Sequence, residues 1–187
     1  MGREAPPAAG KTYKVIIVPA FKTVCLSKTL IAPSVYELRL EKPASFDFKP
    51  GQFVLFDVPL LENEDDLQAR AYSIASAPSE SDLLFVIKLV PNGRASRWIE
   101  KRVSRGTAIT MKGPFGAFTL DMDTAKAYLF IATGTGIAPL RSQILHIVTD
   151  AGFRFLVPFT MHLQHYVLLD LPQIADIRPA NLAGAQS

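Results

Sequence analysis

The sequence predicts an antiparallel β-barrel or sandwich followed by the opening of a parallel α/β unit. Three observations carry this expectation. Up to about residue 120, short runs rich in β-branched and aromatic residues alternate with turns containing Pro and Gly. A single amphipathic helical pattern interrupts them after Pro91-Asn92-Gly93. From Lys126 the texture changes to an apolar run, a glycine turn and a second helical pattern, the order of a βα unit.

Composition bounds the reading. The 187 residues fit one ordinary domain or slightly more, and 49% hydrophobic with 20% charged residues is a globular balance. A net charge of +3 gives no global nucleic-acid signature. The one cysteine, Cys25, excludes a disulfide, a Cys-based zinc site and a Cys-ligated iron–sulfur cluster within the chain. Residues 1–11 are small and Pro-rich and read as a disordered lead-in, not a signal peptide. Apolar runs elsewhere are short and broken, so no membrane span is expected and a cytoplasmic protein is the default.

The elements follow in order. Residues 13–18, 23–31 and 35–40 read as strands, punctuated by Pro19, Pro33 and Pro43. Lys49-Pro50-Gly51-Gln52 is a turn, because Pro fixes φ and Gly supplies the unusual dihedral, and it feeds a strand over 53–58. Glu62-Asn63-Glu64-Asp65-Asp66 reads as a solvated acidic loop tip. Arg70-Ala71-Tyr72-Ser73-Ile74-Ala75-Ser76 is a short strand pattern, and residues 83–90 form a nearly continuous apolar run whose Lys88 needs a partner or a route to water. Ala95, Trp98, Ile99 and Val103 keep helical spacing, so a helix begins near Arg94, and Gly106 ends that unit. A strand over 108–112 precedes a tight turn, Gly113-Pro114-Phe115-Gly116. The boundary falls at 121–124. Beyond it come a strand over 127–132, the turn Thr133-Gly134-Thr135-Gly136, and a helix on Ile137, Leu140, Ile144 and Ile147 that tolerates Pro139 in its first turn.

Three segments have the chemistry to bind phosphate. Arg70 offers a guanidinium with paired donors, or is an ordinary exposed strand cation. Gly93, Arg94, Ala95 and Ser96 stand at a helix start, where free N–H groups and the dipole favour an anion, or are a plain cap. Thr133, Gly134, Thr135, Gly136 and Pro139 open the second helix, and the glycines allow close backbone approach to a pyrophosphate. The full G-x-G-x-x-G is absent, because Pro139 stands at its third glycine. Tyr72 can cover a flat heterocycle and Ser73 can hydrogen-bond a ring nitrogen. Lys88 lies beside such a ligand or snorkels from a sheet edge. His146, His162 and His165 show no ligand pairing, so no metal site is expected.

The order Arg70-Ala71-Tyr72-Ser73, Gly93-x-x-Ser96, Gly113-Pro114-Phe115-Gly116 and Gly134-Thr135-Gly136-Ile137-Ala138-Pro139 resembles the ferredoxin–NADP reductase superfamily over roughly residues 22–150. The lead-in Lys49-Pro50-Gly51-Gln52-Phe53 is similar too. The resemblance implies an antiparallel six-stranded Greek-key FAD-binding barrel over 12–122, then the first strand–helix unit of a parallel NAD(P)-binding sheet over 123–152. It also implies site roles. Arg70, with Ala71 beside it, would bind the FAD pyrophosphate. Tyr72 would pack on the flavin, and Ser73 would hydrogen-bond near its N5, making Tyr72 and Ser73 the catalytic pair. Ile87, Lys88 and Leu89 would line the adenine and phosphate side. Gly93, Arg94, Ala95 and Ser96 would hold the pyrophosphate, and Thr135 and Pro139 would stand where the nicotinamide reaches the flavin. Residues 153–187 depart from the family pattern and read as an atypical tail of a truncated or re-spliced member.

The implied function is an FAD-dependent NAD(P)H oxidoreductase that passes electrons to a one-electron carrier such as ferredoxin or flavodoxin. The alternative is a flavin-binding module or fragment without NAD(P)H turnover. Lys88, Arg94, Arg97, Lys101, Arg102, Arg105 and Lys112 stand against the lone acid Glu100 within 88–112; they would form a basic face that steers an acidic carrier, or a solvated helix face partly used on FAD.

Overall fold

The computed structural model describes residues 18–120, 128–150 and 167–169. The lead-in over 1–11, and the tail apart from 167–169, lie outside the described residues.

Six strands form one antiparallel sheet: β1 (Ala20–Ala32), β2 (Val35–Glu41), β3 (Phe53–Leu60), β4 (Asn63–Ser73), β5 (Asp82–Lys88) and β6 (Ala108–Phe115). Their order is β4-β3-β6-β1-β2-β5. Taken round a circle this is the Greek-key order 1-2-5-4-3-6, with the seam between β4 and β5. The sheet is not closed by hydrogen bonds there, although the two strands lie in contact. β1 makes the corner. Its first residues pair with β6, Ala20 opposite Lys112 through Val24 opposite Ala108, and from Cys25 onward it pairs with β2. A register shift between Cys25 and Ser27 marks the bend. This one long strand replaces the shorter one expected over 23–31. The run over 13–17 lies outside the described residues.

The interior follows the two-residue period of the strands. Leu38 and Leu40 of β2, Val54, Phe56 and Val58 of β3, Leu83, Phe85 and Ile87 of β5, and Ile109 and Met111 of β6 are buried in one cluster. Each large apolar side chain so buried contributes roughly 1.5–3 kcal/mol. A helix, α1 (Arg94–Lys101), adds Trp98 and Ile99 to this cluster, and Val103 follows just beyond it. β5 reads as a nearly continuous apolar run because both its faces are covered. Leu84 and Val86 leave the barrel interior and pack with Ala75 and Ala138.

Two expected turns are parts of strands. β6 runs on through Gly113 and Pro114 to Phe115, which stands opposite Phe53 with ring centroids 5.6 Å apart. The β3–β6 register moves from Phe53–Phe115 to Leu55–Lys112, so one extra β6 residue is absorbed in a bulge. Gly113, at φ +146, supplies a dihedral that side-chain-bearing residues rarely take. The acidic stretch likewise belongs mostly to β4, with Glu62 in the turn before it.

The strand–helix unit after the barrel is present as β7 (Tyr128–Phe130), a 3-10 turn over Gly134–Gly136 and α2 (Ile137–Asp150). Phe130, Leu140, Ile144 and Ile147 form its small core. Its strand pairing differs from the parallel one expected. Among the described residues β7 pairs antiparallel with β8 (Val167–Leu169), Tyr128 opposite Leu169.

Candidate functional site

The seam between β4 and β5 collects the sequence-predicted residues. On β4, Arg70 lies opposite Phe56 and Tyr72 opposite Val54, so both project from the same face of the ribbon as those core residues. The Tyr72 ring is half-buried, with its centroid 5.0 Å from that of Phe56. Burial pushes its phenol up, against the opposing pull of the Arg70 charge, so the hydroxyl stays protonated and neutral. Arg70 donates to its neighbours, Ala69 O at 2.8 Å and Gln68 Oε1, and among the described residues it has no ion-pair partner. Ala71 is exposed and Ser73 half-buried at the end of the strand.

Across the seam, β5 hands over to α1. Lys88 is exposed and Leu89 half-buried, with Leu89 N–H donating to Ser34 O at 2.7 Å. The Ile87 side chain is 4% exposed and belongs to the barrel core, so any contact it makes with a ligand would run through its main chain. The turn that follows is local chemistry. Asn92 takes the left-handed φ of 58° that Asn tolerates, and Gly93 N–H closes onto Val90 O at 3.1 Å. Gly93 then caps α1 with no side-chain hydrogen bond, leaving the first-turn N–H groups to an outside acceptor. A Cβ at Gly93 would come within 2.7 Å of Val90 Cγ2 and 2.9 Å of Ser96 Oγ. The Ser96 hydroxyl accepts from Val90 N–H at 2.8 Å, so its own proton remains for donation. Ala95 is half-buried against the barrel core.

The arginines of this helix turn back on the barrel. Arg94 ion-pairs with Asp66 Oδ1 at 3.0 Å and donates to Asp66 O, while its Nε is buried without a partner. Arg97 pairs with Glu62 at 2.6 Å, and Arg102 donates to Leu61 O at 3.5 Å. Arg97, with Glu62's own backbone helping, holds the Glu62 carboxyl below its usual range. The acidic stretch stays exposed, as expected from sequence, while Glu62 and Asp66 also pair with α1. The basic face shrinks correspondingly. Lys112 pairs with Asp57 at 2.9 Å, so of that cluster Lys88, Lys101 and Arg105 are the exposed bases that make no such contact among the described residues.

The third segment meets the barrel at the far end of β4. Thr133 is exposed, Thr135 half-buried, and Gly136 N–H bonds Thr133 O at 3.1 Å. Gly134 sits at φ +54. A Cβ at Gly134 or Gly136 would meet nothing within 4 Å among the described residues, so none of these demands their smallness. Pro139 is half-buried in the first turn of α2. This helix is held to the barrel by residues that sequence reasoning missed. Arg141 bonds Ala75 O at 2.8 Å and grips Glu80 through both oxygens, at 2.9 and 3.2 Å. Ser142 donates to Ser76 O at 2.6 Å and Gln143 to Phe118 O at 2.7 Å. A signal existed. Three consecutive polar residues sweep well over half a helix's circumference, so at least one had to face the barrel.

Comparison with known proteins places this arrangement. The family model described as an oxidoreductase FAD-binding domain matches residues 24–120, just over half of the chain. Methane monooxygenase component C of Methylosinus trichosporium is 31% identical over 143 residues, covering 71% of this chain and 41% of that protein. Terephthalate 1,2-dioxygenase reductase component 2 of Comamonas sp. is 36% identical over 127 residues, covering 66% of this chain and 36% of that protein. Among solved structures, a ferredoxin–NADP+ reductase from Plasmodium falciparum superposes with a TM-score of 0.60 at 28% identity, covering 70% of this chain and 53% of that one. The Amycolatopsis cytochrome P450 reductase GcoB, at 24% identity and a TM-score of 0.63, over 74% of this chain and 42% of that one, shares the fold. The chain thus spans well under two thirds of the length of these relatives. The six-stranded order, the seam and the matched span lead to one conclusion: the chain belongs to the oxidoreductase FAD-binding domain family.

Proposed function

We propose that the protein binds FAD along the β4–β5 seam and serves as the flavin part of an NAD(P)H-dependent reductase. The observation that carries this reading is that two groups suited to phosphate stand on the two sides of the seam. Arg70 has no ion-pair partner among the described residues on β4, and α1 starts without a side-chain cap beside Ser96. The buried, unpartnered Nε of Arg94 fits an anion arriving at the same place. In this reading residues 12–122 are the FAD-binding domain, 123–152 begin the nucleotide-binding one, and 153–187 are an atypical tail.

Bound FAD would supply the redox chemistry, taking electrons in pairs and releasing them singly. The residues bind and orient. Arg70, Gly93, Ala95 and Ser96 hold phosphate, with Arg94 held nearby by Asp66. Tyr72, neutral and backed by Phe56, offers its ring to the flat heterocycle without placing a charge beside it. Ser73 offers a hydroxyl to the ring edge, and Ile87, through its main chain, lines the ligand together with Lys88 and Leu89. Thr133, Gly134, Thr135, Gly136 and Pro139 would receive the nicotinamide side of NADH or NADPH. The relatives named as reductase components support an oxygenase component or a ferredoxin- or flavodoxin-like carrier as the acceptor. Among the described residues no helix is long and apolar enough to cross a membrane, and a cytoplasmic location belongs to the same reading.

A second reading, an FAD-binding module without NAD(P)H turnover, is favoured by the antiparallel β7–β8 pairing, since nucleotide-binding sheets of this class are parallel. Anaerobic addition of NADH or NADPH to the FAD-loaded chain separates the two. Bleaching of the flavin band supports turnover, and an unbleached but FAD-retaining chain supports the module.

A further inference from the structure

The segment that continues β4, from Ile74 to Ala77, is fixed on two sides. Toward β5, Ala75 N–H donates to Leu84 O at 2.8 Å and Leu84 N–H to the Ser76 hydroxyl at 3.1 Å. Toward α2, Ala75 O accepts from Arg141 and Ser76 O from Ser142. Ala75, Ser76 and Ser142 are fully buried, and Ala138 packs on Ala75 and Leu84. Glu80 completes the link, accepting from Ala77 N–H at 2.7 Å while both its oxygens take the Arg141 guanidinium. Burial works against the Glu80 charge, but Arg141 and the Ala77 N–H outweigh it and hold the carboxyl below its usual range.

We propose that Arg141, Ser142 and Glu80 are positioning residues that set the glycine turn Gly134–Gly136 at a fixed distance from Tyr72 and Ser73. The inference rests on the reading of the seam as the flavin site and of the turn as the nicotinamide site. Its logic is distance along the chain. Ala75 lies two residues beyond Ser73, and Arg141 lies five beyond Gly136, on the helix that the turn opens. A planar guanidinium bonded at once to a strand carbonyl and to both oxygens of one carboxylate has little freedom to slide. The two halves of a hydride-transfer site must meet within a few tenths of an ångström, and a shift of about 1 Å can cost on the order of a hundredfold in rate. These groups bond the Ala75–Ala77 segment and one another, so in this reading their effect passes through the placement of the turn.

The test uses the full chain with Glu80→Gln, Arg141→Ala and Arg141→Lys. Amide hydrogen exchange at Gly136 and Ile137 is the first readout and needs no cofactor. Arg141→Ala is expected to speed exchange there at least tenfold while core amides of β2 and β5 keep their protection. Arg141→Lys, with one donor group for two acceptors, should recover part of it. In FAD-loaded protein, Arg141→Ala should lower the anaerobic rate of flavin bleaching at saturating NADH or NADPH at least tenfold, with FAD affinity within twofold of the parent. Exchange at the turn that is unchanged in Arg141→Ala and Glu80→Gln overturns the proposal, as does slower exchange lost equally across the barrel, which marks a merely structural role. If the parent chain takes up no FAD, the reading of the seam fails, and the exchange result still decides whether Arg141 places the turn.

Discussion

The two ends of the β4–β5 seam are held by different means. At the end of β4, main-chain and hydroxyl hydrogen bonds join Ala75 and Ser76 to Leu84, buried from water. At its start, exposed Asp66, with neighbouring Glu62, is held by side-chain contacts to Arg94 and Arg97 of α1. Buried main-chain bonds are costly to break because the groups have nowhere else to go. Exposed ion pairs trade readily with water or with another charge. The difference leaves the seam fixed where the helix after the Gly134–Gly136 turn docks and adjustable beside the start of α1, with Arg70 and Tyr72 between.

Four perturbations sharpen that contrast, in falling order of size. Phe56→Ala removes a fully buried ring that supports Tyr72 and touches Phe85 at 4.9 Å between centroids. It should cost about 3–5 kcal/mol in urea denaturation. Gly51→Ala acts at the fixed end. At φ +95, its Cβ would fall 1.9 Å from Phe118 O and 2.5 Å from Gln143 Nε2, so the α2 contact must shift. A loss of about 2 kcal/mol is expected by the same measurement, beyond that of an unstrained site. Third is acid. Glu80 titrates below its ordinary 4.5, so the unfolded chain takes up this proton first as pH falls. The stability from its pairing is therefore complete above about 4.5 and is lost as pH drops through the lowered folded value; denaturation at stepped pH should show Glu80→Gln flattening that acid limb. Last, Asp66→Ala at the adjustable end should cost less than about 1 kcal/mol, and the loss should shrink in high salt. An Asp66→Ala loss larger than that of Gly51→Ala would erase the contrast between the two ends.

Much of this was legible before the structure. Alternation at Val54, Phe56 and Val58, the helical spacing of Ala95, Trp98 and Ile99, and the glycine turn before Ile137 each report a single local periodicity, which sequence carries directly. The features that were not legible depend on partners distant in the chain. Gly113-Pro114 has the composition of a turn, and only the pairing of Phe115 with Phe53 makes it a bulged strand. Glu62 and Asp66 are solvated as their composition suggests, but only the folded α1 brings Arg97 and Arg94 to them. The inward position of the Ile87 side chain was readable too, because the period through Leu83 and Phe85 points it away from Lys88. Arg141 carries no motif, and its role comes from Glu80 and Ala75, more than sixty residues earlier.

Whether the seam holds FAD through Arg70 is decided by a spectroscopic titration of the purified chain with FAD. A flavin band is expected that stays with the protein through gel filtration, is released on denaturation, and is held at least tenfold more weakly by Arg70→Ala with its fold intact. A colourless chain that takes up no FAD, or an Arg70→Ala variant that retains it as tightly as the parent, would rule out Arg70 as the FAD anchor of the seam.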